Sequence, residues 1–253
     1  DLSAVRIHEE LMGLGFDGSY STVKRYVSKL KRKENIFIRI HTEPGEEAQV
    51  DFGYLGMSRD DEGKNKKTWV FNMRLSYCRL DYYEKVYNQK VETFIACHIH
   101  AFEFFGGVSQ YVKIDNLKAA ILEANFYEPV YQQMYKDFAD YYNFSPIPCR
   151  VASPNDKGKV ECGIKFVKGN FFKGRVFSSG SDLDSRLRAW NKDKNKRIHG
   201  TTRRVPYDVF MEEERSCLTS LPPSRFAISK ISTRKVYHDC HIYVDYNYYS
   251  VPY

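Results

Sequence analysis

Ala48-Gln49-Val50-Asp51-Phe52-Gly53 reads as a β-strand with a carboxylate in its middle. Val50 and Phe52 suit a pleated, half-buried surface, and an acid between them is costly to bury unless something pairs with it. A second acid closes a similar apolar run in Val112-Lys113-Ile114-Asp115-Asn116. A third, Glu161, follows a Pro/Gly-containing turn in Lys157-Gly158-Lys159-Val160-Glu161, where an amphipathic helical pattern begins. Three such carboxylates along one α/β pattern can converge on divalent metal ions, the arrangement needed to cut and join phosphodiesters.

Outward from Asp51, residues 49–54, 68–77 and 82–87 read as three strands joined by polar turns such as Asp60-Asp61-Glu62-Gly63-Lys64. The spacing of Phe94, Ile95, His98, Ala101, Phe102 and Phe105 predicts a helix from about Val91 to Phe105, stopped by Gly106-Gly107. A fourth strand is expected at 111–115, helical stretches at 117–123 and 130–142, a fifth strand at 147–151 and a helix over 158–172. Three strands, then helix, strand, helix, strand, helix is the order of an RNase H-like core, an α/β fold with a mixed five-stranded sheet and flanking helices. Beyond it, 181–196 reads as a helix capped by Ser181 or Asp182 and anchored by Leu183, Leu187 and Trp190. A helix near 207–214 follows, and from Thr233 the alternation of Val236, His238, Cys240, Ile242 and Val244 reads as strands of a small β-barrel-type domain.

At the other end, Val5, Ile7, Leu11 and Leu14 form an apolar stripe, and Gly13, Gly15 and Gly18 mark where that helix stops. Ser21 reads as the N-cap of a second helix with Val23, Tyr26, Val27 and Leu30 on its apolar face and Lys24, Arg25, Lys29 and Lys31 opposite. Two short helices, the second one basic, predict a helix-turn-helix whose second helix enters a major groove through Ser21, Thr22, Lys24, Arg25 and Lys29. The alternative is an ordinary solvated basic face. The expected organisation is a helix-turn-helix over 1–37, a linker over 38–47, the catalytic core over 48–178, a helical extension and connector over 179–225, and the start of a β domain over 226–253.

The 253 residues carry a net charge of +7, which favours a polyanionic partner. Cys78, Cys97, Cys149, Cys162, Cys217 and Cys240 are scattered without a C-x-x-C pair or zinc-ligand spacing, so free thiols in a reducing cytosol are expected. No run approaches the ~18 apolar residues of a membrane span, and no signal peptide opens the sequence. The chain opens inside a helical pattern and ends in Tyr248-Tyr249-Ser250-Val251-Pro252-Tyr253, which reads as mid-strand, so a piece of a longer protein is expected.

Several blocks together resemble one family, the bacterial IS21-type transposases. They are Tyr20-Ser21-Thr22-Val23-Lys24-Arg25-Tyr26-Val27, Pro44-Gly45-Glu46-Glu47-Ala48-Gln49-Val50-Asp51-Phe52-Gly53 and Ala101-Phe102-Glu103-Phe104-Phe105-Gly106-Gly107-Val108. Further on come Asp115-Asn116-Leu117-Lys118-Ala119-Ala120, Lys157-Gly158-Lys159-Val160-Glu161, Arg197-Ile198-His199-Gly200-Thr201-Thr202 and Tyr249-Ser250-Val251-Pro252. The resemblance implies a DDE transposase with a retroviral-integrase-like core, acting in the bacterial cytoplasm at the nucleoid. It implies double-stranded DNA as partner (terminal repeats and target), assembly as a homodimer or higher synapse, and an AAA+ ATPase helper.

Carried over by position, the triad falls on Asp51, Asp115 and Glu161, holding two Mg²⁺ ions about 3.5–4 Å apart, with Mn²⁺ as a substitute. Asp51 would be shared by both ions, Asp115 and Glu161 each serving one. Water as nucleophile would free a 3′-OH, and that 3′-OH would then attack target DNA. Each acid also has a structural reading: Asp115-Asn116 as a helix cap, Glu161 as a first-turn acid favoured by the helix dipole, Asp51 as a solvent-facing strand residue. Lys157 and Lys159 are candidates to hold a phosphate, Asn116 and Lys118 to contact DNA, and His199, Thr201, Thr202, Arg203 and Arg204 to form a backbone-binding loop. His98 and His100 lack a third ligand and read as core or surface histidines. Two other functions fit parts of the pattern: a catalytically inactive helix-turn-helix regulator, and an RNase H-fold nuclease or resolvase.

Overall fold

The computed structural model describes residues 3–30, 41–114, 121–123, 130–149, 162–229, 235–244 and 246–252. These fall into two compact units, one ending before His41 and one beginning there.

In the first unit, α1 (Ala4–Gly13) starts at Ser3, whose hydroxyl accepts the Arg6 N–H, and α2 (Tyr20–Leu30) packs beside it. The cap of α2 is Ser19, not Ser21: its Oγ accepts the Thr22 N–H at 3.3 Å. The helix therefore begins a residue before the expected N-cap, and Ser21 lies in its first turn. Val23 and Val27 are buried, whereas Tyr26, expected beside them, is 63 % exposed. Tyr26 is one residue before Val27, about 100° around the helix axis from it, and so falls outside the stripe that Val23 and Val27 define.

The second unit is built on a five-stranded mixed sheet ordered β3-β2-β1-β4-β7. β1 (Glu47–Arg59), β2 (Asn65–Leu75) and β3 (Asp81–Val86) form an antiparallel meander; β4 (Tyr111–Ile114) runs parallel to β1, and β7 (Ser145–Pro148) parallel to β4. The first two strands are longer than their apolar runs, because the hairpin continues past the core as a polar ladder from Gly56↔Thr68 to Arg59↔Asn65. A register shift next to Gly56, at φ 122°, lets β1 bend there.

Alternation along β1 gives the sheet two faces. Ala48, Val50 and Phe52 face α3 (Val91–Phe105) and α4 (Gln133–Tyr142), whose Phe94, Phe102, Tyr135 and Phe138 fill one core. Leu55, Val70 and Tyr83 face a second core made with Ile164, Val167, Phe171, Leu187 and Trp190. Those residues come from α5 (162–167, whose last turn widens to a π-helix over Lys168–Phe172) and α6 (Gly180–Asn195).

α3 has the bounds expected from its periodicity, and Gly106 ends it in the left-handed region at φ 73°. Four other expectations are corrected. Residues 121–123, expected to be helical, form β5 (Ile121–Glu123), paired antiparallel with β6 (Val130–Tyr131). Ile121, Val130 and Tyr131 favour a ladder over a helical turn, and α4 accordingly starts at Gln133 instead of 130.

The fifth strand of the sheet lies at 145–148 instead of 147–151 and contains Pro146 and Pro148. Proline is tolerated there because β7 is an edge strand. The N-cap of α6 is Ser179, whose Oγ accepts the Asp182 N–H at 3.1 Å, not Ser181 or Asp182; the Asp182 carboxylate accepts the Ser178 N–H in return. Finally, 207–214 is not one α-helix: α7 (Pro206–Val209) passes into a π-helical turn over Phe210–Glu214. The last strands, β8 (His241–Val244) and β9 (Asn247–Ser250), form an antiparallel hairpin. Among the described residues no helix is long and apolar enough to cross a membrane.

Candidate active site

Asp51 follows Val50, the register partner of Ile114 in the parallel β4, and is itself paired with Asn72 of β2. Its backbone alternation puts it on the face that meets α5 and α6. The side chain is half-buried, and its Oδ1 accepts the Phe52 N–H at 2.8 Å.

The same face carries Glu47 and Gln49 further back along β1. The Glu47 carboxylate takes the Lys113 ammonium at 2.8 Å, the Ser76 hydroxyl at 2.6 Å and the Gln49 amide at 2.8 Å. Burial opposes its ionisation, yet those hydrogen bonds and the Lys113 charge hold the carboxyl below its ordinary range. Lys113 is thereby committed to Glu47.

α5 crosses this face against the ladder residues next to Asp51. A Cβ on Gly53 would stand 2.4 Å from Ile164 Cγ2, and a Cβ on Gly163 would stand 2.6 Å from Asn72 Oδ1. The Tyr83 hydroxyl donates to the Gly163 carbonyl at 3.2 Å. Both glycines permit an approach that any larger residue would block.

Asp115, Asn116, Lys118, Lys157, Lys159 and Glu161 lie outside the described residues. Described residues close to the three acids in the sequence do meet. Val50 and Ile114, which precede Asp51 and Asp115 in the sequence, are register partners. Gly163, two residues after Glu161, rests on Asn72, the ladder partner of Asp51. Among the described residues no three His, Cys, Asp or Glu side chains gather as a metal site. The donor set proposed from the sequence, three carboxylates, suits a hard divalent cation such as Mg²⁺. Asp51 itself is half-buried within β1.

The loop of Arg197–Arg204 folds on itself around His199. Its N–H donates to the Arg204 carbonyl at 2.8 Å, its carbonyl accepts the Arg203 N–H at 2.8 Å, and its Nδ1 accepts the N–H groups of Thr201 and Thr202 at 3.4 Å. Burial, with Arg74, Arg79 and Lys194 nearby, pushes the imidazole down to about 4, so it is neutral at physiological pH. Arg203 is exposed in the left-handed region at φ 58°, and Thr201 is exposed. Arg204 instead pairs with Glu213, which also accepts the Tyr77 hydroxyl. In α2, Ser21, Thr22, Lys24, Arg25 and Lys29 are all exposed. The Thr22 hydroxyl lies 3.1 Å from the capping Ser19 Oγ.

Sequence reasoning missed a buried polar group on the same face: Asn72, Arg74 and Asp81 from the sheet, with Asn191, Lys194 and Asn195 from α6. The signal was present. Lys194 continues the Leu183–Leu187–Trp190 stripe at helical spacing, and Arg74 and Asp81 interrupt apolar strands. Glu214 was missed as well; fully buried, it accepts the Gly45 N–H at 3.2 Å and the Cys78 N–H at 3.0 Å, fastening the connector to the start of β1 and the β2–β3 turn.

No family model matches the chain. It is 31 % identical over 250 residues to the transposase of insertion sequence IS21 from Pseudomonas aeruginosa, covering 97 % of this chain and 63 % of that protein. It is 30 % identical over 231 residues to the transposase of an IS21-like element from Bacteroides fragilis, covering 84 % of this chain and 44 % of the relative. A transposase of element IS640 from Shigella sonnei is 30 % identical over 190 residues, covering 74 % of this chain and 60 % of the relative. The chain thus spans about three-fifths or less of the length of these relatives.

Among solved structures, a chain of the simian T-cell lymphotropic virus intasome in complex with PP2A regulatory subunit B56γ superposes with a TM-score of 0.53 at 12 % identity. The match covers 90 % of this chain and 81 % of that one. The strand order and flanking helices are those of the RNase H-like fold that retroviral integrase cores share. By its sequence, this chain is similar over most of its length to transposases of the IS21 type.

Proposed function

We propose that the chain carries the catalytic core of a DDE transposase, which cleaves 3′ ends of its insertion sequence and joins them to target DNA. The observation that carries the reading is the parallel pair Val50↔Ile114, beside which Gly163 seats on Asn72. Residues within two positions of each acid in the sequence thus meet about the central strand of the sheet.

In this reading Asp51, Asp115 and Glu161 would hold the divalent ions, Asp51 serving both and Asp115 and Glu161 one each. Bound Mg²⁺, or Mn²⁺ in its place, would supply the positive charge that activates an oxygen nucleophile and offsets charge at phosphorus. Asp51 contributes a strand-fixed oxygen whose Oδ1 is already oriented by the Phe52 N–H. Lys157 and Lys159 would hold the phosphate. Thr201, Thr202 and Arg203 would follow the DNA backbone, His199 and Arg204 shaping that loop, and Asn116 and Lys118 would contact DNA near the site. Ser21, Thr22, Lys24, Arg25 and Lys29 on α2 would bind the terminal repeats. Cleavage and joining at two ends calls for a dimer or higher synapse. The AAA+ ATPase helper and a place at the bacterial nucleoid belong to the same proposal.

The test is a strand-transfer assay on labelled terminal-repeat DNA with Mg²⁺, comparing the protein with its Asp51→Asn variant. Loss of joining with DNA binding retained is the expected result. Equal joining by the variant removes Asp51 from catalysis. Terminal-repeat binding without any wild-type cleavage identifies a regulator, and cleavage without joining identifies a nuclease.

A further inference from the structure

A charged cluster lies buried on the sheet face beneath α5. Asp81 is fully buried, and its carboxylate takes a bidentate pair from Arg74, Nε to Oδ1 and Nη2 to Oδ2, both at 2.7 Å. The Lys194 ammonium of α6 contacts Oδ2, and the Asn72 amide donates to Oδ1 at 3.0 Å. The backbone of Asp81 is held by α6 as well: its N–H donates to Asn195 Oδ1 at 3.2 Å. Its carbonyl accepts Asn191 Nδ2 at 2.9 Å and Asn195 Nδ2 at 2.8 Å.

Such a group is a poor source of stability, since desolvating three charges offsets much of their attraction. Its value lies in fixing geometry. Arg74 and Asn72, both oriented by Asp81, meet the same backbone point together with Tyr83. A Cβ on Gly163 would stand 2.6 Å from Asn72 Oδ1, 3.1 Å from Arg74 Nη2 and 3.1 Å from the Tyr83 hydroxyl. The Tyr83 hydroxyl donates to the Gly163 carbonyl at 3.2 Å, and no residue but glycine fits the cradle.

We infer that Asn72, Arg74 and Tyr83, locked by Asp81 and Lys194, are positioning residues that set α5 against the Asp51 strand and so tune the divalent-cation affinity of the acidic site. The inference rests on the catalytic reading above. Asn72 links the two halves, being at once the ladder partner of Asp51 and a wall of the Gly163 cradle. The start of α5 is therefore referenced to the strand bearing Asp51 and, through Lys194, Asn191 and Asn195, to α6.

The experiment titrates Mn²⁺ into wild type, Tyr83→Phe, Gly163→Ala and Asp51→Asn, following loss of the free-ion electron paramagnetic resonance signal, with thermal melting and joining assays alongside. Tyr83→Phe keeps the ring and removes the donor to Gly163. Its Mn²⁺ dissociation constant should rise about 10-fold, with melting and DNA affinity close to wild type. Gly163→Ala should lose joining about 10²-fold. Wild-type Mn²⁺ affinity in Tyr83→Phe overturns the inference, whether or not Gly163→Ala folds. If Asp51→Asn loses Mn²⁺ and joining while Tyr83→Phe loses neither, the positioning role alone fails. If Asp51→Asn retains both, the catalytic reading fails first.

Discussion

Gly53 of β1 lies directly under Ile164 of α5, so close that a Cβ on the glycine would stand 2.4 Å from Ile164 Cγ2. This contact seats a helix across the strand that carries Asp51. Gly53→Ala should destabilise the protein by about 1–3 kcal/mol through overpacking. Ile164→Ala removes the opposing methyl, so the double variant should lose less than the sum of the singles. Urea unfolding of the four proteins measures this coupling; strict additivity would mean that the two residues do not touch.

The cluster at Asp81 makes a graded prediction. Asp81→Ala strands Arg74 and Lys194 in a space closed to water and should cost about 3–5 kcal/mol. Lys194→Met leaves the Arg74–Asp81 pair intact and should cost clearly less. Equal losses in chemical denaturation would show that the cluster depends on the ammonium as much as on the carboxylate.

His98 is enclosed by Phe71, Phe94, Phe102, Phe138 and Phe144. Its Nδ1–H donates to the Phe94 carbonyl at 2.8 Å, and Nε2 lies 3.4 Å from the Tyr135 hydroxyl. Burial pushes the imidazole down to about 4 from 6.5. The unfolded chain takes up a proton below pH 6.5 that the folded one refuses until about pH 4, so stability falls as pH drops through that window. The loss is on the order of 3 kcal/mol. His98→Leu should remove that share of the acid slope, read from urea midpoints between pH 7 and pH 4. Identical slopes would mean that the folded protein protonates His98 as readily as the unfolded chain does.

In the first unit, Arg25 and Lys29 stand exposed on α2 on either side of the buried Val27 position. Arg25→Ala should weaken binding to terminal-repeat DNA and reduce the slope of log affinity against log salt by about 1, as expected for one lost phosphate contact. Unchanged affinity across a salt series would remove α2 from the interface.

Much of this was legible in one dimension because some patterns are local. The α3 stripe from Phe94 to Phe105 and its glycine stop need no partner to be read, and the helix has those bounds. Caps were less legible. Ser19 and Ser21, or Ser179 and Ser181, are chemically alike, and the choice depends on which hydroxyl reaches an N–H three residues on. The β5–β6 hairpin was misread as helix because three residues carry no period, and only the pairing of Ile121 with Tyr131 decides the matter. The proline-containing edge strand was displaced for a similar reason: its hydrogen bonds are set by β4, not by its own sequence.

The sequence by itself determined the three-strand meander, α3, the aromatic core, the basic second helix and the resemblance to IS21-type transposases, since periodicity and short motifs are properties of neighbouring residues. Tertiary structure decided what distant residues do to one another. It set Val50 beside Ile114, seated Gly163 on Asn72, and closed Arg74, Asp81 and Lys194 into one buried cluster. Helical spacing puts Lys194 on the stripe of Leu183, Leu187 and Trp190, but nothing in the local chain names Asp81 as its partner. Its role arises only when α6 docks on β3 and excludes water, which turns a surface charge into a geometric constraint.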